Sequence, residues 1–254
     1  MDDLKHIGGS LPDFSHLFED IDGECEQHGA QTVKVRKGHD WYCPACMAEK
    51  TRAEARKKWE DDRRELLHKI ARIPQKYRGQ KFKAHNDQHR QARGLAKTFF
   101  DAVVEAGNCG GWRVLMMIGE PGTGKTLMAC EIGERLIESA LMSVRYVTAM
   151  QMLGEIKAAY SQEGKTEAGE IQKFVEYDLL ILDEIDQMRG SDNDRILLME
   201  VINRRYNDER PMLVISNKLR DQLAEYIGDR VSSRFHENGL VVSFDWTDFR
   251  KAGA

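Results

Sequence analysis

The chain has 254 residues, 41% of them hydrophobic and 31% charged, with a formal net charge of -4, which suits a globular fold of one ordinary domain plus a smaller attachment. Its longest apolar runs are about five residues, against the roughly 20 that a membrane helix needs, and its acidic start, Met1-Asp2-Asp3-Leu4, is unlike a signal peptide. A cytoplasmic location is therefore expected, where five cysteines point to metal ligands or core packing and away from a disulfide framework.

Residues 1–22 scatter Leu11, Phe14, Leu17 and Phe18 among acids and glycines, a short amphipathic segment that docks on a partner or on its own domain. Cys25 and His28 follow as C-x-x-H, then Cys43 and Cys46 as C-x-x-C after a 14-residue loop. Two such pairs at this spacing match a structural zinc knuckle or ribbon, with four ligands closing a tetrahedral site. Residues 32–36 and 40–42 are expected to form the hairpin that carries the ligand turns, with Gly38 near its bend. His39 is a competing ligand. Cys109 and Cys130 lack partners at ligand spacing and are expected to be a loop thiol and a buried helix residue.

The pattern over 47–73 is helical, with Trp59, Leu66, Ile70 and Ile73 near one face and Lys/Arg over the others; Pro44 and Pro74 mark its limits. Residues 47–98 hold 16 Lys/Arg against 7 Asp/Glu, so a basic segment sits in an acidic chain. It is either a contact for a polyanion or acidic protein, or a solvated helix face. Residues 74–86, with Tyr77 and Phe82, form a connector, and 87–106 is again helical with Leu95, Phe99 and Val103 at spacings of four.

From residue 114 the chain alternates strands and helices, which means a parallel sheet covered on both faces. The apolar run 114–118 leads into Gly119-Glu120-Pro121-Gly122-Thr123-Gly124-Lys125-Thr126 and then a helix to about residue 140. This is a complete phosphate-binding loop, G-x-x-x-x-G-K-[ST], in its strand-to-helix context. Gly119, Gly122 and Gly124 let backbone N–H groups approach phosphate oxygens, the position of Thr123 contributes to the same cradle, Lys125 neutralises the β- and γ-phosphates, and Thr126 ligates Mg²⁺.

A strand is expected over 144–148, then a helix through residue 160, a polar mobile loop over 161–169 and a short helix over 171–177. The strand expected over 178–182, apolar after Asp178, ends in Asp183-Glu184, acids at the C-terminal end of a buried strand and so beside the ligand crevice. Asp183 would hold Mg²⁺ through water, and Glu184 would orient and deprotonate the attacking water, which points to ATP hydrolysis. Residues 192–207 are helical with Ile196, Met199, Val201 and Ile202 as apolar residues, and 212–215 form another buried strand. Asn217 at its end either hydrogen-bonds the attacking water or caps the next turn. A helix over 219–227 precedes Arg230 and Arg234, at i and i+4 on one helix face; such arginines are commonly solvated, but in an oligomeric ATPase one can reach a neighbour's γ-phosphate. A last strand covers 240–244.

With the phosphate loop, Asp183-Glu184, Asn217 and the paired arginines in this order, the chain resembles AAA+ ATPases. More narrowly, Ser216-Asn217-Lys218-Leu219, Gly228-Asp229-Arg230-Val231-Ser232-Ser233-Arg234 and the stretch from Phe244-Asp245-Trp246 to Arg250 resemble the DnaC-type bacterial helicase loaders, whose core the IstB-type transposition helpers share. The resemblance implies Asn217 as sensor 1, Arg234 as an arginine finger acting in trans and Arg250 as sensor 2. It also implies a core without the usual C-terminal helical lid, since four residues follow Arg250. A helix at 149–160 contacting single-stranded DNA is implied by position, with Lys157 and Tyr160 as phosphate contact and stacking surface; a plain amphipathic core helix is the alternative.

The sequence thus divides into a zinc module (1–46), a basic linker helix (47–73) and an α/β AAA+ P-loop domain (74–254). The implied activity is ATP-dependent loading of the ring-shaped replicative DNA helicase onto single-stranded DNA at the initiation of replication. The loader would work as a spiral oligomer on the helicase. Two alternatives are a transposition helper that coats DNA and a zinc adaptor with a static nucleotide switch; Glu184 argues against the latter.

Overall fold

The computed structural model describes residues 14–107, 113–187, 191–218 and 222–246. Cys109, Arg250 and residues 1–13 lie outside the described residues, as does the side chain of Tyr160. The chain divides into two compact units, Met1–Asp61 and Asp62–Ala254. Among the described residues no helix is long and apolar enough to cross a membrane.

In the first unit, β1 (Phe18–Cys25) pairs antiparallel with β2 (Gly29–Arg36), in a register running from Phe18 opposite Arg36 to Cys25 opposite Gly29. The hairpin therefore lies upstream of the one expected at 32–36 and 40–42, and its bend is the Cys25–His28 turn, not Gly38. The reason is that Trp41 serves as packing: its indole N–H donates to the Gln31 carbonyl at 3.1 Å and its ring lies against Gly23. Part of the presumed docking segment, residues 18–22, is strand. Helix α1 (Pro44–Ala71) begins on Pro44, whose fixed φ and missing N–H suit the first helical position. Its buried residues are Leu67 and Ala71; of the four apolar residues expected near one face, Ile73 is buried and Ile70 half-buried, whereas Trp59 is 61% and Leu66 49% exposed.

In the second unit, α2 (Asp87–Ala106) is capped by Asn86, whose side chain accepts from the His89 N–H at 2.8 Å. Five parallel strands follow: β3 (Val114–Gly119), β4 (Val144–Thr148), β5 (Leu179–Asp183), β6 (Met212–Ser216) and β7 (Gly239–Phe244), in the order β4-β5-β6-β3-β7. Every residue of β3, β5 and β6 is buried, as a sheet covered on both faces requires. Against one face lies α3 (Lys125–Ala140) with α2; against the other lie α4 (Ala149–Ala158), α5 (Glu167–Glu176), α6 (Asp192–Asn207), α7 (Ala224–Ile227) and α8 (Asp229–Asn238).

Helix α5 starts four residues earlier than the sequence pattern suggests. Thr166 caps it by accepting from the Gly169 N–H at 3.1 Å, and Glu167 and Glu170 sit in its first turn, where the helix dipole favours acids. In α6 the inward residues are Leu197, Leu198, Val201 and Ile202, whereas Ile196 is exposed. The fully buried Arg205 donates to the carbonyls of Phe174, Val175 and Tyr177 at 2.8–2.9 Å and of Pro211 at 2.6 Å. It ties the end of α5 to the entry of β6. Burial, ahead of the Arg210 charge, lowers its pKa to about 9.

Candidate functional site

The C-terminal ends of β3 and β5 bring the phosphate loop and the acids together. Gly119, Gly122 and Gly124 have φ of +132°, +82° and +96°, the region that side chains disfavour. A Cβ on Gly119 would come within 2.4 Å of the Phe244 carbonyl oxygen, so this glycine is demanded by β7 as well as by any phosphate. Gly124 is the N-cap of α3, which places the loop at a helix N-terminus suited to anions. Lys125 is buried, its Nζ donating to the carbonyls of Gly119 and Glu120 at 2.7 Å each. The Thr123 hydroxyl donates to the Glu120 carbonyl at 2.8 Å, and the Thr123 carbonyl accepts from the Trp246 indole at 2.9 Å.

Asp183 is buried at the end of β5. Its Oδ2 accepts from the Thr126 hydroxyl at 3.0 Å and the Tyr146 hydroxyl at 2.7 Å, and its Oδ1 from the Glu184 N–H at 2.8 Å. Burial and the Asp183 charge push the Tyr146 phenol above its ordinary range, so it is a donor at every working pH. A hydroxyl and a carboxylate converging from two elements fit a hard cation that keeps several waters, such as Mg²⁺.

Glu184 has φ +54°, a conformation costly for a non-glycine residue. It is an exposed residue, yet partial desolvation of its carboxyl, followed by the Asp183 and Asp186 charges, raises its pKa. Asp186 is buried and accepts from the Asn217 N–H at 3.0 Å. Asn217 follows Ser216, which pairs with Ile118, so the chain after β6 is tied to the segment after β5. Arg234 is elsewhere: its guanidinium bonds Asn203 and lies 4.1 Å from the Tyr206 ring centroid, both on α6. Lys157 is ion-paired with Asp194.

In the first unit, Cys25, His28, Cys43 and Cys46 place their ligand atoms within 4.8 Å of one another. The Cys25 and Cys46 sulfurs are 3.6 Å apart, and His28 Nδ1 lies 3.7, 3.5 and 3.4 Å from the Cys25, Cys43 and Cys46 sulfurs. A tetrahedral zinc with Zn–S bonds of about 2.3 Å needs sulfurs about 3.8 Å apart, so this donor set fits the ion. The backbone N–H of Gln27, with His28, lowers the Cys25 thiol to about 6, favouring the thiolate that binds metal. His28 Nε2 lies 3.4 Å from Glu49 Oε1, a carboxylate that fixes the ring orientation.

Sequence reasoning missed Tyr146, Asp186 and Glu49, and did not give Trp246 its partner. Asp186 was within reach, three residues after Asp183; Tyr146 needed the strand order, and Glu49 the hairpin.

Residues 26–234 match the family model described as IstB-like ATP binding protein. The E. coli K12 protein YdaV is 28% identical over 170 residues, 66% of each chain. The replicative helicase loader DnaC of E. coli K12 is 28% identical over 133 residues, 52% of this chain and 54% of DnaC. The match thus spans about half to two thirds of these relatives. A crystal structure of the DnaC helicase loader superposes with a TM-score of 0.58 at 20% identity, covering 66% of this chain and 98% of that one. The chain belongs to the family of IstB-like ATP binding proteins and carries the AAA+ fold of the DnaC-type loaders.

Proposed function

We propose that this protein is an ATPase that loads a ring-shaped replicative DNA helicase onto single-stranded DNA. The observation that carries the reading is the convergence of Thr126 and Asp183, 3.0 Å apart, beside Lys125 and Glu184 on a sheet like that of DnaC. Lys125 leaves its loop carbonyls for the β- and γ-phosphates, and Glu184 takes the proton of the attacking water. Mg²⁺, held by Thr126 and through water by Asp183, would neutralise charge on the phosphates. Asn217 acts as sensor 1, and Arg250 as sensor 2. Arg234 leaves Asn203 and Tyr206 to complete the site of a neighbouring subunit in a spiral assembly.

The zinc module and α1 grip the helicase. Trp59, 61% exposed on a helix rich in charge, is the aromatic anchor such a contact would use. Residues 149–160 would line the DNA; Lys157 must first give up Asp194.

Co-purification of the full chain with its host's replicative helicase, with and without ATP, tests the reading. A complex weakened by Trp59→Ala, with a turnover abolished by Glu184→Gln, is the expected result. The family match also supports an IstB-type transposition helper; no helicase complex, with ATP-dependent coating of duplex DNA, would decide for it.

A further inference from the structure

We propose that Tyr146 is a positioning residue for the magnesium-side carboxylate, fixing the orientation of Asp183 from outside the metal site while Thr126 ligates the cation. The inference rests on the nucleotide site proposed above. Asp183 Oδ2 receives two hydroxyl donors, Tyr146 at 2.7 Å and Thr126 at 3.0 Å, while Oδ1 receives the Glu184 N–H at 2.8 Å. Both oxygens are thereby fixed, which sets the plane of the carboxylate.

These donors differ in what a cation does to them. A Thr126 hydroxyl that ligates Mg²⁺ through an oxygen lone pair keeps its proton for Oδ2, but its direction is then set by the ion as well as by Asp183. Glu184 N–H holds only the other oxygen, Oδ1. Tyr146 alone comes from another strand: β4 lies at the sheet edge, with Tyr146 opposite Ile181 in register. Its side chain therefore spans two residues of β5 to reach Asp183, and it has no phosphate or metal to serve. Partners of this outer kind orient ligating groups, and their loss lowers metal affinity by about 10- to 100-fold.

The test is a Mg²⁺ titration of nucleotide binding, read with a fluorescent ATP analogue, on wild type and Tyr146→Phe, which deletes one oxygen and keeps the ring. The Mg²⁺ midpoint should rise about tenfold, while affinity measured in EDTA stays within twofold. In an Asp183→Asn background the same substitution should change nothing further. Tyr146→Leu, which carries no polar group, should reproduce the rise and serves if the Phe variant fails to fold.

An unchanged midpoint, in a wild type whose binding depends on Mg²⁺, would overturn the role of Tyr146 and leave the nucleotide site standing. Equal losses with and without Mg²⁺ would make Tyr146 a packing residue and also overturn it. A wild type that binds no nucleotide at any Mg²⁺ concentration would bring down the site itself.

Discussion

The indole N–H of Trp246 donates to the carbonyl of Thr123 at 2.9 Å, so the stretch after the last strand holds the phosphate loop directly. The Trp246 ring is seated on its own side by Phe244 and His89, at centroid distances of 4.7 and 4.5 Å. Trp246→Phe keeps the aromatic packing and removes one neutral hydrogen bond, worth about 0.5–1.5 kcal/mol. Nucleotide affinity should fall about 2- to 10-fold, measured by isothermal titration calorimetry.

The acid limb of ATP hydrolysis should report on Glu184. In the proposed mechanism Glu184 works deprotonated, so its raised pKa predicts that activity is lost on acidification at a higher pH than an ordinary glutamate would dictate. Asp186→Asn removes one of the two neighbouring negative charges and keeps an oxygen for the Asn217 N–H. The Glu184 pKa should then fall, and the acid limb of the pH profile of kcat/KM should move to lower pH; a limb that stays put or moves up would exclude this electrostatic link.

Zinc binding should be strong, stoichiometric and confined to the first unit. Replacing Cys43 by Ser should abolish it, and Glu49→Gln should weaken it by about tenfold through loss of the carboxylate behind His28. A competition titration with a chromogenic chelator measures both. Because the ligands bind deprotonated, affinity should drop as the pH falls.

Arg205→Met should strongly destabilise the second unit. It leaves the carbonyls of Phe174, Val175, Tyr177 and Pro211 without their common donor, each buried unsatisfied group costing about 1–3 kcal/mol. A loss of about 3 kcal/mol would lower Tm by about 6–12 °C in a domain of this size. Arg205→Lys should rescue little, since one ammonium cannot reproduce the planar fork. Differential scanning calorimetry checks both variants.

The parallel sheet, the phosphate loop and Asp183-Glu184 were legible because their signals are local: apolar runs of strand length, a glycine pattern between strand and helix, acids at a strand end. The Cys/His quartet was legible as a cluster from spacing alone, but the hairpin around it was not. Val33 and Val35 alternate correctly for a strand, and nothing local says that their partner is 18–25 and not 40–42; that choice belongs to Trp41, which packs on Gly23. The start of α5 was hidden because residues 161–169 are polar, and its signal lay in one side chain, Thr166. Arg205 reads as one more surface arginine at a helix end until the carbonyls of α5 are placed around it. Tyr146 and Trp246 act across 37 and 123 residues, distances at which periodicity says nothing.

The crowding of Gly119 by the Phe244 carbonyl has a consequence for the order of events during synthesis. The loop that would cradle phosphate is translated early, yet the backbone that roofs it and the indole that holds it arrive only with the final strand, 123 residues after Thr123 in the case of Trp246. A nascent chain stalled before that strand carries the whole phosphate-loop signature without a finished cradle. A nucleotide would therefore meet the complete cradle only once that strand has docked.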